Sequence, residues 1–412
     1  MKSFTNASLM ILCVTFFGAG FLGVAQTAGA AGSRESSVSR GPDNETPDTE
    51  DLAGMPVSEA QAELQNRPVS ERILRATGLS ERALHESDLG RARAWAEYAA
   101  NEALDSGSPR ETAETWRSLA LLYDVSGDLR SGIRATTVSA SAFSEAGDLV
   151  SELEVLSIRA NIEHRLGALA DGIETASGII SRFGDQPLDD GFRADVLSNA
   201  AMMHFKLGRL DEIPGLLEDA ADLYESIGSD DGLGTVYRIW GNYHGAIDDP
   251  QEAIMFYERA GERYSRTGNV FDAANVYFNT ALMLMRVDEF EAAVSAFEEA
   301  ITGFSRAGSA SGTGMAATEL TVALWELERY EEAEQTIQRA IAMLDASQSL
   351  RRLARARTIL GTMYSARGSR DRAVEQLARA RNLYDELGLA ADASRIQREI
   401  ERIDPGRRDG GI

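Results

Sequence analysis

Apolar residues recur three, four and seven positions apart along most of the chain, with acids and arginines between them. In residues 250–268, Ala253, Phe256, Tyr257, Ala260 and Tyr264 fall on one helical face. In 289–308 the same stripe returns as Phe290, Ala293, Phe297, Ala300 and Phe304. Each stripe follows another helical segment, 231–247 and 270–287 respectively, so the unit is a helix pair. Pro250 stands at the start of its segment, where a missing N–H costs nothing.

The pair repeats at a fixed step. A small or acidic turn residue follows the first helix at Gly127, Gly167, Gly208, Asp248, Asp288, Glu328 and Gly368, in steps of 40, 41, 40, 40, 40 and 40. An aromatic residue or Leu near the end of the second helix keeps the same beat at Phe143, Phe183, Tyr224, Tyr264, Phe304, Leu344 and Tyr384. A period of this size predicts a solenoid. Pairs begin near 71, 111, 149, 190, 230, 270, 310 and 349, and the amphipathic segment 389–403 reads as a solvating cap. Proline is scarce and no segment alternates as a strand does, so the fold expected is all-α, an α-solenoid of antiparallel helix pairs. The organisation expected is a signal peptide over 1–30, a disordered acidic and Ser-rich linker over 31–56, about eight repeats over 57–388, the cap over 389–403 and a disordered tail over 404–412.

Composition narrows the function. Residues 3–33 carry no charge, Lys2 supplies a positive start, and Ala28-Gly29-Ala30 follows the apolar run. This predicts export with cleavage after Ala30, to the periplasm or beyond. The alternative is an uncleaved anchor, for which the run is at the short limit. Cys13 is the only cysteine, so a trimmed chain has no disulfide, thiolate metal site or cysteine nucleophile. The net charge of −24 opposes nucleic-acid binding. Residues 349–412 nevertheless hold 14 Arg against 9 acids, a net of +5. Two explanations compete: a docking end, or arginines paired with glutamates along exposed helices.

The chemistry-bearing residues are few. His164, His204 and His244 occupy equivalent places in consecutive repeats. Equivalent helices lie roughly 10 Å apart, whereas zinc ligands lie about 2.0 Å from the ion. Packing therefore explains the ladder better than metal binding, and no metal and no cofactor are expected. Paired acids such as Asp189-Asp190 and Asp248-Asp249 suit helix starts and turns better than a catalytic dyad. Gly-rich 308–314 lacks the Lys-Ser/Thr of a phosphate loop. No nucleophile elbow or dinucleotide loop is present.

Within each repeat, small residues hold fixed offsets: Gly361, Tyr364, Gly368, Ala373 and Ala380 in the last pair, Gly241, Ala253 and Ala260 in the fifth, Ala281, Ala293 and Ala300 in the sixth, Ala333 and Ala340 in the seventh. On these residues the chain resembles the forty-residue variety of tetratricopeptide repeat over about 71–403. The resemblance implies a right-handed superhelix whose concave surface is lined by the first helices and binds a peptide or protein. By offset, that groove would display Arg117, Asn161, Arg165, Asn199, Lys206, Arg238, Asn242, Asn275, Asn279 and Arg286, with Asn199 and Asn279 where relatives place a backbone-binding Asn. The function expected is a non-enzymatic scaffold or adaptor of the bacterial cell envelope. The alternative is a sensory or regulatory subunit that controls a separate effector protein.

Overall fold

The computed structural model describes residues 50–184 and 187–405. Every regular element among them is helical. They are α1 (Glu50–Ala53), α2 (Val57–Leu64), α3 (Val69–His85), α4 (Leu89–Ser106), α5 (Pro109–Ser126), α6 (Leu129–Glu145), α7 (Leu149–Leu166), α8 (Leu169–Ile180), α9 (Asp190–Lys206), a single 3₁₀ turn (Leu210–Glu212), α10 (Ile213–Ser226), α11 (Asp230–Ala246), α12 (Pro250–Thr267), α13 (Val270–Arg286), α14 (Phe290–Arg306), α15 (Ala310–Glu326), α16 (Tyr330–Ala346), α17 (Leu350–Ala366), α18 (Arg370–Glu386) and α19 (Ala390–Ile403). Consecutive helices pack as antiparallel pairs, which makes the fold an all-α solenoid. Two compact units can be distinguished, one ending at Gly232 and one beginning at Leu233.

Local signals start and stop these helices. Asp88, Ser108, Asp128, Asp148, Asp249, Asn269 and Ser309 each accept a backbone N–H at the start of a helix, which satisfies donors the helix cannot use. The turn between the two helices of a pair needs a left-handed residue. Gly127, Gly167, Gly208 and Gly368 supply it at φ from 71° to 81°. Asp248, Asp288 and Glu328 do the same at 65°, 61° and 58°, with a side-chain strain that glycine avoids.

In the first unit, the pairs are α3/α4, α5/α6, α7/α8 and α9/α10. Leu52, Ala60 and Leu64 bury against Ala76, Leu79, Trp95 and Ala99. Arg91 ties the same segment down through the carbonyls of Ala53 and Met55. The expected linker over 31–56 therefore ends too late. Residues 50–56 belong to the folded unit, because Leu52 has an apolar seat that so short a stretch does not advertise. The signal peptide, most of the linker and residues 406–412 of the tail lie outside the described residues. The second helix of the third pair is also shorter than its neighbours: α8 stops at Ile180 and leaves Phe183 beyond its end.

In the second unit, the pairs are α11/α12, α13/α14, α15/α16 and α17/α18, closed by α19. The offset alanines Ala253, Ala260, Ala281, Ala293, Ala300, Ala333, Ala340, Ala373 and Ala380 are fully buried where helices cross. Gly241 shows why the sites are small: a Cβ there would lie 2.5 Å from the Tyr257 ring. The periodic aromatics Tyr264, Phe304 and Tyr384 are buried to within 1%. At the end of the stack, Ala393, Ile396 and Ile400 of α19 cover Leu377 and Tyr384, while its arginines and glutamates meet solvent.

Candidate functional site

The ten side chains expected in a groove are distributed over both units, and each unit is described separately. In the first, α5 carries Arg117, which pairs with Glu114 at 2.5 Å and lies 3.7 Å from Glu154. Asn199 of α9 donates to Asn161 of α7 at 3.0 Å, a ladder between equivalent helices. Arg165 donates to the backbone carbonyl of Asp124 at 3.0 Å and to its carboxylate. Lys206 is exposed at the end of α9.

In the second unit, Arg286 makes the same brace. It donates to the carbonyl of Gly245 at 2.8 Å, again 41 residues back, and to the Asp248 carboxylate. Asn275 donates to Phe271 O of its own helix at 3.2 Å. Arg238 lies against the Tyr264 hydroxyl. Asn242 is 3% exposed and accepts the Tyr257 hydroxyl at 2.8 Å. Asn279 is 9% exposed. Asn242 and Asn279 are therefore core residues, a correction to their expected place on the groove surface. The offset from the turn put them on the first helices correctly. Whether an amide on such a helix points outward depends on what packs against it, and for Asn242 that is the Tyr257 hydroxyl of α12.

The arginines tell a similar story. Arg165 and Arg286 hold adjacent repeats together through backbone carbonyls and acids, and Arg117 is neutralised by its neighbours. In the arginine-rich C-terminal part, Arg355 pairs with Glu319, Arg367 with Glu331 and Glu334, Arg379 with Glu375, Arg395 with Asp392 and Arg402 with Glu399, while Arg352 and Arg357 donate to Ser311 and Gln376.

The histidines differ from one another. His204 is buried, and burial, the largest influence, holds its pKa below the ordinary value. His244 stacks on Phe256 at 5.2 Å between centroids and contacts Trp240 at 5.8 Å. Its Nδ1 lies 3.6 Å from Asp249. Among the described residues, no group of three or more His, Cys, Asp or Glu is placed to hold a metal ion. The paired acids Asp189 and Asp249 accept backbone N–H groups at helix starts.

Two cavities in the first unit involve residues outside the expected set. One, of about 500 Å³, lies over α7 and α8 and is lined by Leu156, Arg159, Asp171, Glu174, Thr175 and Arg182 among others. Arg159 is bonded to the buried Glu163 at 2.7 Å and Arg182 to Glu152 at 2.7 Å, so both guanidinium groups serve internal acids. The other, of about 290 Å³, opens between α3 and α5 above α4. Its walls include Leu84, Leu121 and Val125, which are 42%, 46% and 69% exposed. The signal that would have found them is a departure from the repeat. Two residues before the turn, Val125 stands where later repeats carry Arg165, Lys206, Ala246, Arg286, Glu326 and Ala366.

A tetratricopeptide-repeat family model matches residues 192–266. No curated protein matches the chain by sequence. Among solved structures, the chain is similar to a signal transduction ATPase with numerous domains and a tetratricopeptide-repeat sensor from Pyrococcus horikoshii. The identity is 15%, the match covers 77% of this chain and 50% of that one, and the TM-score is 0.56. This chain thus spans half the length of that ATPase. It is also similar to the apo form of the quorum sensor NprR from B. thuringiensis, at 15% identity over 70% of this chain and 81% of that one, with a TM-score of 0.54. A third similarity is to the apo form of RapI, at 10% identity over 70% and 99% of the two chains and a TM-score of 0.52. At such identities the likeness is one of fold. The family match covers residues 192–266, and these neighbours share the helical solenoid fold.

Proposed function

We propose that this protein is an exported, non-enzymatic scaffold of the bacterial cell envelope that binds a partner protein or peptide. One observation carries the reading: from Val69 to Ile403 the described residues form consecutive helix pairs and a closing helix. A solenoid of this kind offers extended surface rather than a closed active site. The export part rests on the charge-free apolar run and Ala28-Gly29-Ala30.

The test is recovery of the native chain with its partners from the envelope fraction of its own cells. A single stoichiometric protein supports the scaffold. A chain that emerges alone from repeated mild extractions, under conditions that preserve other envelope complexes, counts against it. N-terminal sequencing checks export: a start at Ala31 agrees, and an intact Met1 in the membrane pellet favours an anchor.

The second reading is a sensory subunit controlling a separate effector. Its support is the likeness to the quorum sensor NprR and to an ATPase whose repeats are described as a sensor. A recovered partner whose enzymatic or transcriptional activity changes when this chain is added would favour that reading.

A further inference from the structure

We infer that the cleft between α3 and α5 docks a partner segment that presents an aliphatic or aromatic side chain beside a lysine or arginine. The inference rests on the scaffold reading and adds the chemistry the partner must bring. The cleft is built: Ala96 and Ala99 of α4 form its floor, Leu84 of α3 one wall, and Leu121 and Val125 of α5 the other. Small floor residues keep the two walls apart and the bottom open. A volume of about 290 Å³ is at the lower end for ligand pockets. It suits one or two anchoring side chains of a larger partner.

Packing does not require these apolar walls. Val125 is the most exposed large hydrophobic side chain among those described. Its equivalents in later repeats are charged or alanine, and the residue equivalent to Leu84 in the next repeat is Asp124. A solenoid can put arginine, lysine or aspartate at these places without harm, yet here it exposes leucine and valine side by side. Contiguous apolar surface with a polar edge marks an interaction site.

Charge selects the occupant. Glu81 lines the same cleft, is exposed, and has no hydrogen bond or ion pair among the described residues. The nearby arginines are already engaged: Arg82 with Glu86 and Arg117 with Glu114. An apolar side chain entering the cleft removes water from Glu81, which is costly unless a cation arrives with it. Residues 31–348 carry a net −30, which steers cationic segments in. The same field repels a second copy of this chain and disfavours its own acidic 31–49 stretch as the occupant.

The test uses the full chain and two labelled synthetic peptides of about 16 residues, long enough to form a helix. Both present two leucines one turn apart; one flanks them with lysines, the other with glutamates. Fluorescence anisotropy should show the lysine peptide binding about tenfold or more tighter than the glutamate peptide. Glu81→Lys should reverse the preference. Leu121→Asp with Val125→Asp should abolish binding of both while circular dichroism stays unchanged, since the sites are exposed. Equal binding of the two peptides, no binding of either, or a preference indifferent to Glu81→Lys overturns the inference. So does a concentration-dependent dimer, or hydrogen-exchange protection over 31–49, that the double aspartate variant removes. A native partner that binds the double aspartate variant as tightly as wild type also overturns it, but leaves the scaffold reading standing. Failure to recover any native partner strikes the scaffold reading itself.

Discussion

The Tyr257 hydroxyl donates to Asn242 Oδ1 at 2.8 Å inside the core of the second unit. Both residues are nearly inaccessible to solvent, and burial, the main influence, pushes the Tyr257 pKa well above its ordinary value. The pair joins the two helices of one repeat, α11 and α12.

Replacing Asn242 by Ala should therefore cost stability. The Tyr257 hydroxyl loses its acceptor, and a buried unsatisfied group costs about 1–3 kcal/mol. Removing the hydroxyl as well, with Tyr257→Phe, should recover part of the loss, so the double variant should be destabilised by less than the two singles added. Urea unfolding of the four proteins checks this; strict additivity would mean the bond carries no coupling.

A second buried contact links equivalent helices of adjacent repeats. Arg355 of α17 grips Glu319 of α15 with two parallel bonds, Nε to Oε1 at 2.5 Å and Nη2 to Oε2 at 2.8 Å. The Glu319 side chain is 8% exposed. Glu319→Ala should strand a half-buried guanidinium and cost about 3 kcal/mol. Glu319→Ala combined with Arg355→Leu should be milder, because no charge is left unpaired. Equal melting temperatures for wild type and Glu319→Ala would refute the assignment.

Glu328 offers a stabilising change. It sits at φ 58° in the position filled by glycine in four other repeats. Glycine adopts that conformation without strain but loses more chain entropy on folding. The net gain expected for Glu328→Gly is about 0.5 kcal/mol, seen as a small upward shift in the thermal midpoint. A downward shift would show that Glu328 earns its place by a contact.

His204 predicts an acid sensitivity. Burial, the largest cause, depresses its folded-state pKa, so the unfolded chain binds the proton more readily. Stability from this group is present above about pH 6.5, the unfolded value, and is lost as pH falls through the folded pKa. His204→Gln should flatten the slope of unfolding free energy as pH falls below about 6.5. An unchanged slope would assign the acid sensitivity to other groups.

The repeat is a local pattern and could be read without a structure. Turn residues 40 apart, Ala253 and Ala260 at crossing points, and the stripe through Tyr257 and Tyr264 depend only on helical geometry and on side-chain size. The all-α solenoid follows from them. The end of the expected linker was not legible, because Leu52, Ala53 and Met55 are too few to show a helical period and their partners, Trp95 and Leu64, lie further along the chain.

The site residues divide in the same way. The sequence alone places Asn242, Asn279, Arg165 and Arg286 on the first helices of their repeats and at equivalent offsets. It also contains the anomaly at Val125, since a hydrophobic residue among Arg165, Lys206, Arg286 and Glu326 is visible by alignment of the repeats. Tertiary structure alone decided which of these face solvent. Asn242 turns inward because the Tyr257 hydroxyl on the second helix needs an acceptor, Arg286 turns back because the Gly245 carbonyl and Asp248 are within its reach, and Val125 stays exposed because nothing described packs over the gap between α3 and α5. Periodicity specifies which helix a side chain belongs to; the neighbours across the interface specify whether it remains available to a partner.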